Sequence, residues 1–275
     1  MLTAYFTNAG PAREDNQDAV LVGSLISSAT ENPVLLDPGQ PLGVFAVADG
    51  VGGYRGGELA AKTLLDSLRE LDRAPEARPG AEDSPASHSA GPAGSSPAEA
   101  ASVELKITEA CRRASDKMAE LAAETPGYAN MNTAVAGVFI GAGQITFFNS
   151  GDCRVYRLGA PCLTKMTRDH SLVQIMFDQG LIEEEEMRLH PRKNVLTSCI
   201  GRDREDFELY FKTMPQSPPQ KYFICSDGVW EALPLEEIEQ ILRLPTPAAA
   251  ATLARRLFEA DASDNISFII LDQGD

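Results

Sequence analysis

Five apolar residues in a row, Val44-Phe45-Ala46-Val47-Ala48, run straight into Asp49-Gly50-Val51-Gly52-Gly53. A strand that is apolar at every position has no solvent side, so it must be covered on both faces. It ends on a carboxylate followed by three glycines in four residues, a composition that lets the main chain turn sharply and come close to a ligand. Taken alone, Asp49-Gly50 is an ordinary turn dipeptide, and a tight turn is the simpler reading.

Other parts of the chain repeat the pattern. Tyr222-Phe223-Ile224-Cys225 runs into Ser226-Asp227-Gly228, and Phe147-Phe148-Asn149-Ser150 into Gly151-Asp152. Asp264-Asn265 precedes the apolar run from Ile266 to Leu271, and Asp18 opens a strand five residues after Arg13. Each carboxylate thus stands at the mouth of an apolar strand, and strands packed in sheets can bring such ends to one rim. Carboxylates brought together repel unless protonated or neutralised by cations. Hard oxygen ligands suit Mg²⁺ or Mn²⁺ rather than zinc, and the planar fork of Arg13 suits phosphate. Any one of these aspartates reads as a turn or cap residue; the set, with Arg13, points to a binuclear metal site.

The rest of the chain predicts the layers that would hold those strands. Strands are expected over residues 2–8, 19–25, 133–140, 144–150, 154–158, 207–212, 222–225 and 266–271. One-faced helices are expected over 58–71, 103–124, 171–179, 183–188, 235–242 and 248–260. Residues 27–41 read as a loop. Residues 73–102, rich in Pro, Ala, Gly and Ser, read as a disordered low-complexity insertion within a single domain spanning 1–275. Hairpin-like strands with paired helices predict an α+β domain rather than βαβ repeats.

The formal net charge of −16 argues against nucleic acid or an anionic membrane as partner, since both recruit Lys and Arg. No signal peptide or membrane span is visible. Five scattered cysteines without CxxC spacing speak against disulfides and zinc ribbons. A cytoplasmic chain is expected.

The motifs, in order, resemble the type 2C protein phosphatases (the PPM family of metal-dependent serine/threonine phosphatases) in their compact bacterial form. They are Arg13-x-x-Asn16-Gln17-Asp18, Asp49-Gly50-x-Gly52-Gly53, Gly151-Asp152-Cys153-Arg154, Asp169-His170, Cys199-Ile200-Gly201, Ser226-Asp227-Gly228-Val229 and Asp264-Asn265. The resemblance implies two packed antiparallel β-sheets flanked by helix pairs, an αββα sandwich with metals at one end. It implies that Asp49 bridges two Mn²⁺ or Mg²⁺ ions, one completed by the Gly50 carbonyl and the other held by Asp227 and Asp264. Asp18 would act through water on a metal, Arg13 would hold the substrate phosphate, and Asp152 with Asp227 would bind a possible third ion. Two divalent ions about 4 Å apart can acidify a shared water for in-line attack on phosphorus, so no side-chain nucleophile is required. The implied function is hydrolysis of phosphoserine and phosphothreonine on proteins by a monomer that opposes a Ser/Thr kinase. A pseudophosphatase that binds phosphoproteins without turnover is the alternative, and a metallohydrolase acting on nucleotides is a third.

Three positions depart from the family pattern: Val51, where some eukaryotic members carry a histidine; Asn132 for a glycine; and Cys153 for a serine. His170 reads as a local structural residue, and His88 and His190 as structural or solvated.

Overall fold

The computed structural model describes residues 1–37, 42–51, 56–72, 97–128, 130–141, 143–202, 207–216 and 220–274. Its strands are β1 (Leu2–Asn8), β2 (Ala19–Val22), β3 (Leu25–Ser27), β4 (Val34–Leu36), β5 (Gly43–Val51), β6 (Asn132–Ile140), β7 (Gln144–Ser150), β8 (Arg154–Leu158), β9 (Leu163–Lys165), β10 (Ile200–Gly201), β11 (Tyr210–Pro215), β12 (Lys221–Cys225) and β13 (Ile266–Asp272). Its α-helices are α1 (Gly56–Arg69), α2 (Pro97–Glu124), α3 (Leu172–Asp178), α4 (Glu184–Met187), α5 (Asp227–Trp230), α6 (Leu235–Leu242) and α7 (Thr246–Glu259).

The strands form two antiparallel sheets. One runs β4-β1-β13-β12-β8-β9; the other runs β11-β7-β6-β5-β2-β3, with β10 added beside β6. Strand alternation divides the apolar residues into three layers. On β5, Phe45 and Val47 point between the sheets to meet Tyr222, Ile224, Ile269 and Leu271. Val44, Ala46 and Ala48 point the other way, onto Ala60, Leu64 and Leu68 of α1 and Ile107, Ala110 and Met118 of α2. On the far side, Phe268 and Ile270 of β13 pack under Ile238 of α6 and Leu253 and Leu257 of α7. A fully buried Phe or Leu contributes about 1.5–3 kcal/mol, so the all-apolar run 44–48 of β5 is the natural centre of such a stack. The expected αββα sandwich is the observed one.

Local differences have local causes. Residues 97–102, expected in the insertion, begin α2 instead. Pro97 at the first helical position and the run Ala98-Glu99-Ala100-Ala101 supply a helix start that outweighs the low-complexity composition. The expectation of disorder over 73–96 lies outside the described residues, as do Gly52 and Gly53. Residues 34–36 leave the expected loop to pair with β1 at the sheet edge. The strand expected at 207–212 pairs with β7 over Tyr210–Pro215. Among the described residues no helix is long and apolar enough to cross a membrane.

Candidate active site

Antiparallel pairing brings the motif carboxylates to one end of the sandwich. β5 and β2 pair up to Ala48 opposite Ala19, so the next residues, Asp49 and Asp18, meet just beyond the ladder, where Asp18 is the foremost neighbouring charge that raises the Asp49 carboxyl after burial. In the other sheet β12 and β13 pair up to Cys225 opposite Phe268. The Ser226 N–H then donates to the Ser267 carbonyl at 3.0 Å, which sets Asp227 on the first turn of α5, close to Asp264. Gly228 is required there, because a Cβ would overlap the Asn265 carbonyl. At the end of β7 the chain turns at Gly151, whose φ is +96°; a side chain would be strained there and would strike Ala134. That turn delivers Asp152.

Arg13, Asp49, Gly50, Asp152, Asp227 and Asp264 line one cavity of about 340 Å³, closed on one side by Asn194 and Leu196. Arg13 donates from Nη2 to Asp264 Oδ2 at 2.8 Å and from Nε to the Ser263 carbonyl at 3.3 Å. Asp18 lies behind this cavity, fully buried, and accepts from the Ser226 hydroxyl at 2.8 Å.

The electrostatics are those of a site rich in negative charge. Burial pushes the Asp18 carboxyl up to about 6 in spite of the Ser226 hydroxyl. Burial and then Asp169 push Asp152 up to about 7. Asp49 and Asp227 lie well above the usual carboxylate range, first through burial and then through neighbouring carboxylates, Asp18 leading for Asp49 and Asp152 for Asp227. Two oxygens, Asp18 Oδ1 and Asp227 Oδ1, are buried without a hydrogen-bond partner. Orphaned anionic oxygens of this kind are costly, and a hard divalent cation is what an all-oxygen donor set fits. Among the described residues no three His, Cys, Asp or Glu side chains already form a closed cage. The gathering of five carboxylates at one rim, with Arg13 ion-paired to Asp264, marks the site instead.

Several further residues support the site: Asn16, Arg154, Asp169 and Asn265 belong to the motifs, whereas Trp230 and Glu231 have no signature in the sequence. Asn265 donates to the carbonyls of Ala9 and Asp15 at 3.1 and 2.9 Å and accepts from the Gln17 N–H at 2.9 Å. It therefore fastens the loop carrying Arg13 to the strand preceded by Asp264. Asn16 closes the same loop by donating to Thr7 Oγ1 and the Ser28 carbonyl, both at 2.8 Å. Behind Asp152, the Trp230 indole N–H donates to the Asp152 carbonyl at 3.0 Å. The Arg154 guanidinium stacks 3.5 Å from the Trp230 ring centre and is ion-paired with buried Asp169 at 2.6 Å. Glu231, also unforeseen, is a further acid felt by Asp227 and Asp152; Lys193 pairs with it.

Other candidates take structural places. Burial lowers the His170 imidazole, whose Nδ1 accepts from the Gly151 N–H at 3.2 Å, which fits its expected structural role. Burial, then Asp49, holds the Cys153 thiol well above its ordinary value, so it is not a thiolate nucleophile. Asn132 pairs with Val51 on one side and Gly201 on the other. Its side chain lies where a Gly201 Cβ would be.

No protein-family model matches the chain. It is 25% identical over 267 residues to the serine/threonine protein phosphatase PstP of Mycobacterium tuberculosis, covering 97% of this chain and 44% of that protein. It is also 25% identical over 243 residues to the serine/threonine phosphatase Stp of Listeria monocytogenes, covering 88% and 83% of the two. The chain thus spans less than half the length of PstP. Among solved structures, that of M. tuberculosis PstP superposes with a TM-score of 0.76 at 23% identity, over 98% of both chains. A PstP catalytic domain in complex with two manganese ions gives 0.72 at 21%, over 99% of both chains. In sequence along almost its whole length, and in fold, the chain is similar to bacterial serine/threonine protein phosphatases.

Proposed function

We propose that the chain is a divalent-cation-dependent protein serine/threonine phosphatase. The observation that carries this reading is the meeting of Asp18, Asp49, Asp152, Asp227 and Asp264 at one strand-end rim, with two of their buried oxygens unpartnered. Asp49, the Gly50 carbonyl, Asp227 and Asp264 would hold two core ions, and Asp152 with Asp227 a third. Mn²⁺ or Mg²⁺ suits these ligands. Bound there, the ions supply the Lewis acidity that acidifies water and neutralises phosphate charge.

The chain's own groups do the rest. Arg13 is half-exposed at the cavity mouth, and its fork suits two phosphoryl oxygens. Asp18, held by the Ser226 hydroxyl, would act through water at the inner end of the cavity. Val51 offers no acid to the leaving group, and the buried cysteines take no part. The names of the relatives support phosphoserine and phosphothreonine of proteins as substrates. A cytoplasmic monomer of one catalytic domain, opposing a Ser/Thr kinase, completes the proposal. The non-catalytic alternative has no observation in its favour, since every proposed ligand is present.

A Mn²⁺ titration of the purified chain with p-nitrophenyl phosphate and a phosphothreonine peptide tests the reading. Turnover of both should appear with metal and vanish with chelator. Tight Mn²⁺ binding without turnover would establish the pseudophosphatase instead.

A further inference from the structure

A second groove lies on the other side of the segment that closes the active site. It measures about 640 Å³. One lip is α4 and the turn after it, with Glu183, Glu184, Glu185, Met187, Arg188 and Leu189. The other is the passage from α5 into α6, with Trp230, Leu233, Pro234, Leu235 and Glu236, and the floor includes Arg154 and Tyr156.

The two lips match in chemistry. Each presents an exposed leucine, Leu189 at 74% and Leu235 at 37%. Beside each stands an exposed glutamate, Glu185 and Glu236 respectively, without an ion-pair partner among the described residues. Four carboxylates line the groove, Glu183, Glu184, Glu185 and Glu236, against two arginines. Arg154 is neutralised by Asp169, and Arg188 donates to the Glu231 backbone carbonyl at 2.9 Å but keeps its charge. Carboxylates left over around an apolar trough favour a ligand that brings positive charge on either side of a bulky apolar side chain.

The groove also shares parts with the catalytic cavity. The segment that supplies Glu183 to Leu189 goes on to place Asn194 and Leu196 in that cavity. Trp230, in the groove wall, donates to the backbone of Asp152.

We infer that this groove docks a basic-apolar-basic segment of the phosphoprotein substrate, apart from the phosphoresidue itself. This rests on the phosphatase reading above for the identity of the ligand, though not for the existence of the groove. Docking at a distance adds ground-state affinity and leaves the chemical step alone.

The test compares phosphothreonine peptides with and without a tail in which Lys and Arg flank a Leu, using several spacer lengths on each side. For at least one spacer, wild-type KM should be about five-fold or more lower with the tail, and this advantage should shrink with added salt. In Glu185→Lys/Glu236→Lys the advantage should vanish, and a tail with Glu flanking Leu should gain it instead. In both proteins kcat and p-nitrophenyl phosphate turnover should stay the same. Leu189→Ser, a separate exposed change, should weaken binding of either tail. Equal KM with and without the tail at every spacer would overturn the inference, as would loss of p-nitrophenyl phosphate turnover in the folded double variant. Fluorescence anisotropy with the unphosphorylated tail peptide separates the two readings. Binding that the double variant loses, in a chain that turns over nothing, upholds the groove and refutes the phosphatase.

Discussion

Replacing Asp18 by Asn tests the electrostatic account of the site in the metal-free protein. Asp18 is fully buried and titrates at about 6, against an ordinary value of 3.8. Its folded-state value is raised, so the stability it confers is fully present below 3.8 and is lost as pH rises through 6. The loss amounts to about 3 kcal/mol at pH 8, but to only about 1 kcal/mol at pH 4.5, where the folded carboxyl is still protonated. Asn carries no charge and can still accept the Ser226 hydroxyl, so it avoids this loss. Asp18→Asn should therefore gain about 2 kcal/mol more stability over wild type at pH 8 than at pH 4.5. For a chain of this size that is a melting-temperature difference of roughly 4–8 °C. Urea denaturation with EDTA at the two pH values measures it. Adding Mn²⁺ should reverse the order at pH 8, because wild type then gains more from the ion than the mutant. An equal effect at both pH values, or a mutant less stable at pH 8, would refute the claim that like charge and burial dominate this corner.

Asp49→Asn and Asp227→Asn should each lower Mn²⁺-dependent phosphatase turnover at least a thousand-fold while circular dichroism shows the fold retained; near-normal turnover in either would remove that residue from the metal set. Gly228→Ala, which pushes a methyl into the Asn265 carbonyl, should part Asp227 from Asp264, and calorimetry should find Mn²⁺ binding weakened ten-fold or more. Arg13→Ala should raise KM for an aryl phosphate several-fold with a smaller change in kcat and little change in metal affinity, and an unchanged KM would leave Arg13 as a loop brace held on Asp264 and Ser263.

The layers and the chemistry of the site were legible in the order of residues alone. The unbroken apolar run 44–48 of β5 needs cover on both faces and so suits a middle strand, and helix periodicity over α1, α6 and α7 follows from having one face on a sheet. The carboxylates were legible because each stands next to an apolar strand end and, in most cases, a Gly, which is a local pattern. What local pattern cannot carry is pairing between segments distant in the chain. That Asp18 meets Asp49 across β2 and β5, or that Asn265 fastens the Arg13 loop from the opposite end of the chain, emerges only once the sheets are assembled. The same holds for Trp230, which reads as a core aromatic until its N–H is seen on the Asp152 carbonyl, and for Glu231, which reads as a helix acid until the fold buries it beside Asp227. The start of α2 at Pro97 went unread because composition over thirty residues hides a helix signal five residues long. Acid strength, finally, depends on burial: Asp18, Asp49, Asp152 and Asp227 in an open loop would be ordinary acids, and packing of two sheets around them raises the pKa of all four and makes a site that calls for cations.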